Sequence, residues 1–280
     1  MMKSNLFFDI LSYTAWQMEA PVLFGAFHVT AALLAVTFAA VAAVFFARRI
    51  AASPDRKQAL GRVLFTSGII LAVLEIYKQL FLFYIVNGGV CDWWFFPFQL
   101  CSVPMYLCIL YPLVSDRLRS TFLTFMSGYT FVSAAAALIY PDDMLRTYIS
   151  LTVHGFVWHG LLLFLSLLVM LSGEADSSAA GLLRAASLFA VLSLAAVCFN
   201  AAIEPVMQSI HAVHPEIPHS WAAMFYMNPY HISPQPLVDS IQKTAGIPAG
   251  LVLYAIVIIC FSSLVCKLSY RASHRRLPRN

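Results

Sequence analysis

Residues 95–112 read FFPFQLCSVPMYLCILYP. The stretch is apolar enough to enter a membrane, yet Gln99, Cys101 and Ser102 sit together near one end and Pro97 and Pro104 lie inside it. Polar groups in hydrocarbon are costly unless they face a bundle interior or a cavity. The segment is therefore expected to line a site inside a bundle of helices. Pro104 lacks an N–H, so it is expected to free a carbonyl one turn back, close to Cys101, and to kink the helix there.

The rest of the chain supplies such a bundle. Of 280 residues, 61% are hydrophobic and only 11% charged, with a mean hydropathy of +0.79. Soluble domains carry about 25% charged residues. The fold class is all-α, a polytopic membrane helical bundle. The first residues, MMKSNLFFDILSYTAWQMEA, lack a basic region followed by a clean apolar run, so they do not read as a signal peptide. Leu6, Phe7, Ile10 and Leu11 recur at helical spacing and suit a helix lying along the interface. The six cysteines show no CxxC spacing, and only Cys91 falls clearly in a loop, so no disulfide framework is expected.

Windows long and apolar enough to span, roughly 20 residues each, fall at 22–47, 62–86, 95–114, 118–139, 148–171, 182–203 and 248–268, giving about seven transmembrane helices. Lysine and arginine orient them. One set of loops holds Arg48, Arg49, Arg56, Lys57, Arg62, Arg117, Arg119, Arg184 and the tail residues Lys267, Arg271, Arg275, Arg276 and Arg279. The other side has only Lys3, Arg146 and Lys243. Cytoplasmic loops carry the positive excess, which puts the N-terminus outside and the C-terminus in the cytoplasm and demands an odd number of spans. The net charge of +4 is explained by this asymmetry, and no nucleic-acid partner is expected. No repeat or low-complexity tract divides the chain, so residues 1–280 read as one membrane domain. The longest piece between spans, residues 204–246, is rich in proline and aromatics and reads as an outer cap, with Trp221, Phe225, Tyr226 and Tyr230 suited to the headgroup region.

Depth follows from the rise of about 1.5 Å per residue. Counted from the outer ends of their helices, Cys101, His154 and His28 each lie about 9 Å in, and Lys78 about 12 Å in. Glu75 is on the same face as Lys78, since positions i and i+3 are neighbours. Asn200 and Glu204 mark the outer end of the sixth helix. The intramembrane polar groups thus gather in the outer half, which argues for an outward-facing cavity rather than a continuous pore.

Each candidate has two readings. Glu75 and Lys78 can be a buried ion pair joining helices or a substrate site. Cys101 can be a nucleophile or a small packing residue; Cys108, seven residues on in an apolar setting, reads as packing. His154 and His159 stand about 140° apart on a helix, so they do not share one metal. His154, beside Thr152 and Gly155, is the preferred functional residue, with His28 weaker. His211, His214, His219 and His231 fall in the cap, but their spacing does not match a helical ligand pair and no cysteine accompanies them. No metal site and no cofactor are expected. Asp142 and Asp143 after Pro141 read first as a helix N-cap.

With PFQLCSVP at 97–104, GYTFVSAAAALIYPD at 128–142, TVHG at 152–155, FYMNP at 225–229 and PLVDSIQKTAGIP at 236–248, the chain resembles the YwaF-like bacterial integral membrane proteins. These are grouped with the eukaryotic transmembrane protein 164 acyltransferases. The resemblance implies a helical bundle in a bacterial plasma membrane. From its eukaryotic members it implies acyl transfer between lipids through a cysteine and a histidine, which would make Cys101 the nucleophile and His154 its base.

Two functions follow. One is a lipid acyltransferase or hydrolase, with membrane lipids as partners. A thiol attacks an ester only as thiolate and needs a neighbouring base. Gln99 or Asn200 would donate to the oxyanion, and Lys78 would steer a lipid phosphate. The alternative is a non-catalytic carrier or lipid-binding protein, in which Glu75 and Lys78 hold the substrate or relay protons and the cap gates it. A carrier needs polar residues continuing to the cytoplasmic side, and few are present.

Overall fold

A computed structural model describes residues 6–275. Lys3, Arg276 and Arg279, part of the charge asymmetry, lie outside the described residues. The helices are α1 (Leu6–Ser12), α2 (Ala26–Ala51), α3 (Arg56–Phe81), α4 (Val103–Leu110), α5 (Asp116–Phe125), α6 (Phe131–Ile139), α7 (Ile149–Ser172), α8 (Ala179–Val213), α9 (Pro236–Ala245) and α10 (Ile247–Arg275). No strand occurs among the described residues, only an isolated bridge between Gln17 and Tyr148.

Among the described residues, six helical stretches are long and apolar enough to cross a membrane. Two of them contain π-turns. Leu82–Val86 prolongs α3, and Met126–Thr130 welds α5 to α6 into the single span Asp116–Ile139. The chain is a polytopic helical bundle. The third expected window differs: residues 95–114 do not form one long helix. A 3-10 turn, Trp93–Phe95, is followed by irregular chain, and the helix begins only at Val103. Pro97 and the polar run through Ser102 break the register, and Pro104 occupies the first turn of α4. There its missing N–H is one that no carbonyl would have accepted. Pro104 therefore starts the helix rather than kinking it, and the depth reckoned for Cys101 along a continuous helix does not hold.

The sixth span also runs on. α8 continues through Pro205 to Val213, so Asn200 and Glu204 lie inside it rather than at its end. The segment read as a cap is then irregular chain from 214 to 235, broken by the 3-10 turn Met224–Tyr226, and closed by α9.

Packing divides the chain into two compact units. The first comprises Met1–Trp16, Glu75–Leu100 and Ala190–Val257; the second comprises Gln17–Leu74, Cys101–Phe189 and Ile258–Asn280. In the second, the windows of Asp116–Ile139 and Ile149–Ser172 are each 67% buried, against 11% for α2. The first two make the core, and α2 turns Leu33, Leu34, Phe38 and Val41 outward, a face suited to lipid. Close approach needs small residues, as is usual between membrane helices. At Gly128, inside the π-turn, a Cβ would lie 2.6 Å from the Ser262 carbonyl oxygen of α10. In the first unit, aromatic rings do this work: Phe199 of α8 stacks on Phe96 at 4.8 Å and meets Trp93 and Phe98.

Candidate functional site

In the second unit the break before α4 leaves Cys101 partly exposed, next to Ser102, which stands at the N-cap position of α4 without a side-chain capping hydrogen bond. Cys108, a turn further into α4, is fully buried. α7 carries the partners. The indole N–H of Trp158 donates to the Cys101 carbonyl at 3.2 Å. Four residues earlier, on the same face of α7, His154 stacks on that indole, with ring centroids 5.7 Å apart. His154 Nε2 lies 3.0 Å from the Leu74 carbonyl oxygen. A carbonyl only accepts, so Nε2 carries the proton and Nδ1 keeps the lone pair. Trp158 thus touches both the backbone of Cys101 and the ring of His154, and the Leu74 carbonyl sets the tautomer in which Nδ1 holds the lone pair. All six cysteines are thiols.

The other intramembrane histidines serve the fold. His28 accepts from the Phe24 N–H at Nδ1 and donates from Nε2 to Leu138. The Nε2 bond joins α2 to α6, and the Nδ1 bond holds the chain entering α2. His159 is as buried as His154, and its Nδ1 donates back to Gly155 one turn earlier. Gly155 admits the side chain of Met144: a Cβ there would lie 2.9 Å from the Met144 Cβ.

In the first unit the expected pair forms: Lys78 Nζ lies 2.8 Å from Glu75 Oε1. Gln79 also donates to Glu75 Oε1 at 2.7 Å, and to the Phe95 carbonyl. The ion pair is therefore one corner of a network that holds the residue where the chain enters its irregular stretch.

Gln99 and Asn200, expected to face substrate, instead grip one piece of backbone. Asn200 accepts from the Met224 N–H at 2.8 Å and donates to the Met224 carbonyl at 3.1 Å. Gln99 accepts from the Phe225 N–H at 2.8 Å and donates to the Ala223 carbonyl at 3.0 Å. The reason lies in the turn they hold. Phe225 and Tyr226 both take φ of 56°, a left-handed conformation that costs a bulky residue free energy. Two carboxamides, acting as substitutes for a strand's hydrogen-bonding edge, hold it in place. Each carboxamide thus spends its oxygen and one N–H on the turn.

The loop histidines are engaged one by one. His211 Nδ1 bonds the Ile217 carbonyl, and His214 faces Glu216 at the exposed end of the loop. His219 Nδ1 lies 2.7 Å from Asp92 Oδ2, and His231 Nε2 lies 2.6 Å from Glu204 Oε1. His219 stacks on Trp94 at 4.4 Å, His231 on Trp221 at 4.8 Å, and the two tryptophans meet edge to face at 5.1 Å. Among the described residues no group of three or more His, Cys, Asp or Glu is arranged to hold a metal ion. The carboxylate partners are what sequence reasoning missed. Asp92 and His219 are 127 residues apart, and no local spacing announces the pair. The nearest signals are an aspartate directly before two tryptophans and a glutamate inside an apolar helix.

Compared with known proteins, the model of the TMEM164 family matches residues 23–270. No curated protein and no solved structure matches.

Proposed function

Since the chain belongs to the TMEM164 family, we propose that this integral membrane protein is an acyltransferase acting on membrane lipids, with Cys101 as nucleophile and His154 as its base. The observation that carries the reading is the Trp158 bridge, which fastens the Cys101 backbone and the His154 ring to one indole. His154 Nδ1 takes the thiol proton while the sulfur bonds to an ester carbonyl carbon. The tetrahedral intermediate collapses, the ester C–O bond breaks, and the imidazolium returns its proton to the departing alkoxide. The acyl group is left as a thioester, and attack by an acceptor hydroxyl, with His154 again taking the proton, releases the thiol. The N-terminus of α4 beside Cys101 favours the anions formed on this path.

The carrier reading rests on Glu75 and Lys78. Their mutual bond, with Gln79 added, gives it less support, because the carboxylate oxygen is shared by two internal donors. We place the protein in a bacterial plasma membrane, from the resemblance described above, and its N-terminus outside, from the loop charges. That orientation needs the short apolar stretch Val103–Leu113 to complete a seventh crossing beside the six long spans.

The test is thiol labelling of the purified protein in detergent with a lipid-like haloacetamide. Wild type is run beside Cys101→Ala and His154→Gln. The glutamine keeps a donor for the Leu74 carbonyl, so the fold keeps its bond while the base is lost. Fast labelling that disappears with Cys101→Ala and slows at least tenfold with His154→Gln supports the dyad. Slow labelling indifferent to both variants removes the nucleophile and overturns the proposal.

A further inference from the structure

We propose a second acid–base centre, independent of Cys101: the Asp92–His219 pair of the first unit, acting as a general base that drives water onto acyl esters. The first argument is the tautomer. Asp92 is deeply buried, its side chain 1% exposed, and both its oxygens are used: Oδ1 accepts from the Trp94 N–H at 3.0 Å and Oδ2 meets His219 Nδ1 at 2.7 Å. A carboxylate only accepts, so Nδ1 carries a proton, and in the neutral ring Nε2 holds the lone pair. His219 has no other hydrogen bond among the described residues, and its side chain is 25% exposed. A buried aspartate that orients a histidine and stabilises the imidazolium formed in the reaction is the arrangement by which a histidine acts as a general base.

The second argument is orientation. The imidazole lies flat against Trp94, at 9° between planes, with Phe95 edge-on at 5.3 Å. These contacts fix the plane of the ring, and with Nδ1 engaged by Asp92, Nε2 is the nitrogen without a hydrogen bond among the described residues. The walls are apolar, which suits the acyl part of an ester. The other histidine–carboxylate pairs are less defined. His214 and Glu216 are both exposed neighbours. Glu204 shares one oxygen between His231 and Gln208 and leaves the other, buried, without a partner.

In the reaction, water gives a proton to His219 Nε2 as its oxygen bonds to the ester carbonyl carbon. The intermediate then breaks the C–O bond to the alcohol, and the imidazolium returns the proton to that oxygen. The products are a carboxylic acid and an alcohol.

The test uses the full chain in detergent, in a Cys101→Ala background, so the thiol contributes nothing and a failed thiol mechanism leaves the result intact. p-Nitrophenyl octanoate is the ester. Diethyl pyrocarbonate, which acylates imidazole nitrogen, reports the reactivity of each histidine by peptide mass spectrometry. His219→Gln keeps a donor for Asp92. Asp92→Asn keeps an acceptor for the Trp94 N–H but turns an N–H₂ toward Nδ1, which moves the proton to Nε2 and ends its basicity. The expected result is that either change lowers ester hydrolysis at least tenfold with the melting temperature retained, and that Asp92→Asn slows carbethoxylation of His219 tenfold relative to His214. Hydrolysis no faster than in His219→Gln, or a His219 no more reactive than His214 and indifferent to Asp92→Asn, overturns the proposal.

Discussion

The indole nitrogen of Trp158 donates a hydrogen bond to the backbone carbonyl of Cys101 across 57 residues of sequence, at 3.2 Å. That bond fixes the chain just before α4, where no helix yet holds it. Replacing Trp158 by Phe keeps an aromatic face for His154 and deletes the bond. A lost internal hydrogen bond of this kind costs about 1 kcal/mol. The expected outcome is a melting temperature a few degrees lower in detergent and altered alkylation of Cys101, with Cys108, buried in the body of α4, unaffected. Peptide-resolved mass spectrometry separates the two thiols.

Gln99 and Asn200 grip adjacent residues of one strained turn, and their losses should not add. Either single change to Ala strands buried backbone groups of residues 223–225 and lets the left-handed conformation at Phe225 and Tyr226 relax. Once the turn has relaxed, the second amide has less to hold. A double-mutant cycle on unfolding free energy is expected to show a coupling above about 0.5 kcal/mol, as found for residues sharing a partner. Strict additivity would mean that each amide acts on its own.

Gly128 is a point of backbone contact rather than a hinge. A methyl group there meets the Ser262 carbonyl 2.6 Å away, and backbone has no rotamer with which to yield. Gly128→Ala is expected to destabilise by roughly 1–3 kcal/mol, the usual cost of overpacking. Gly88→Ala gives a contrast: nothing lies within 4 Å of a Cβ there, and the cost comes only from its φ of 58°. Thermal melts of the two variants, with fluorescence as the readout, distinguish steric from conformational strain.

The bundle was legible because a membrane span announces itself by length and apolarity within one window. Five of the expected windows reappear with shifted ends, and α8 overran its window because Pro205 did not stop it. The window at 95–114 misled because hydropathy counts side chains and ignores register. Pro97 and the polar run before Val103 decide where a helix can start. The Glu75–Lys78 pair was legible because both partners lie on one helix face. Gln99, Asn200 and the carboxylates of the histidine pairs have partners far along the chain, and an isolated polar residue in an apolar segment does not reveal whether it faces a ligand or another part of the backbone. His28 is the clearest instance, since its bond to Leu138 spans 110 residues.

Asp176 gives a pH dependence whose sign can be worked out. It lies between α7 and α8, beyond the membrane spans, and accepts from Ser178 and from Arg184 at 2.6 Å. The Ser178 hydrogen bonds, then Arg184, hold its carboxyl below the ordinary carboxylate range. A group whose folded pKa is depressed contributes stability above its unfolded value, about 3.9 for aspartate. That contribution fades as pH falls through the lower folded value. Because the pair is partly exposed, solvent screening keeps it below about 1 kcal/mol. Melting temperature measured from pH 7 down to about pH 3 should therefore decline less in Asp176→Asn than in wild type, and the gap should narrow in high salt. Equal declines in both proteins would mean that Asp176 titrates alike in the folded and unfolded chains, and that the Ser178 and Arg184 contacts hold the α7–α8 connection by geometry rather than by charge.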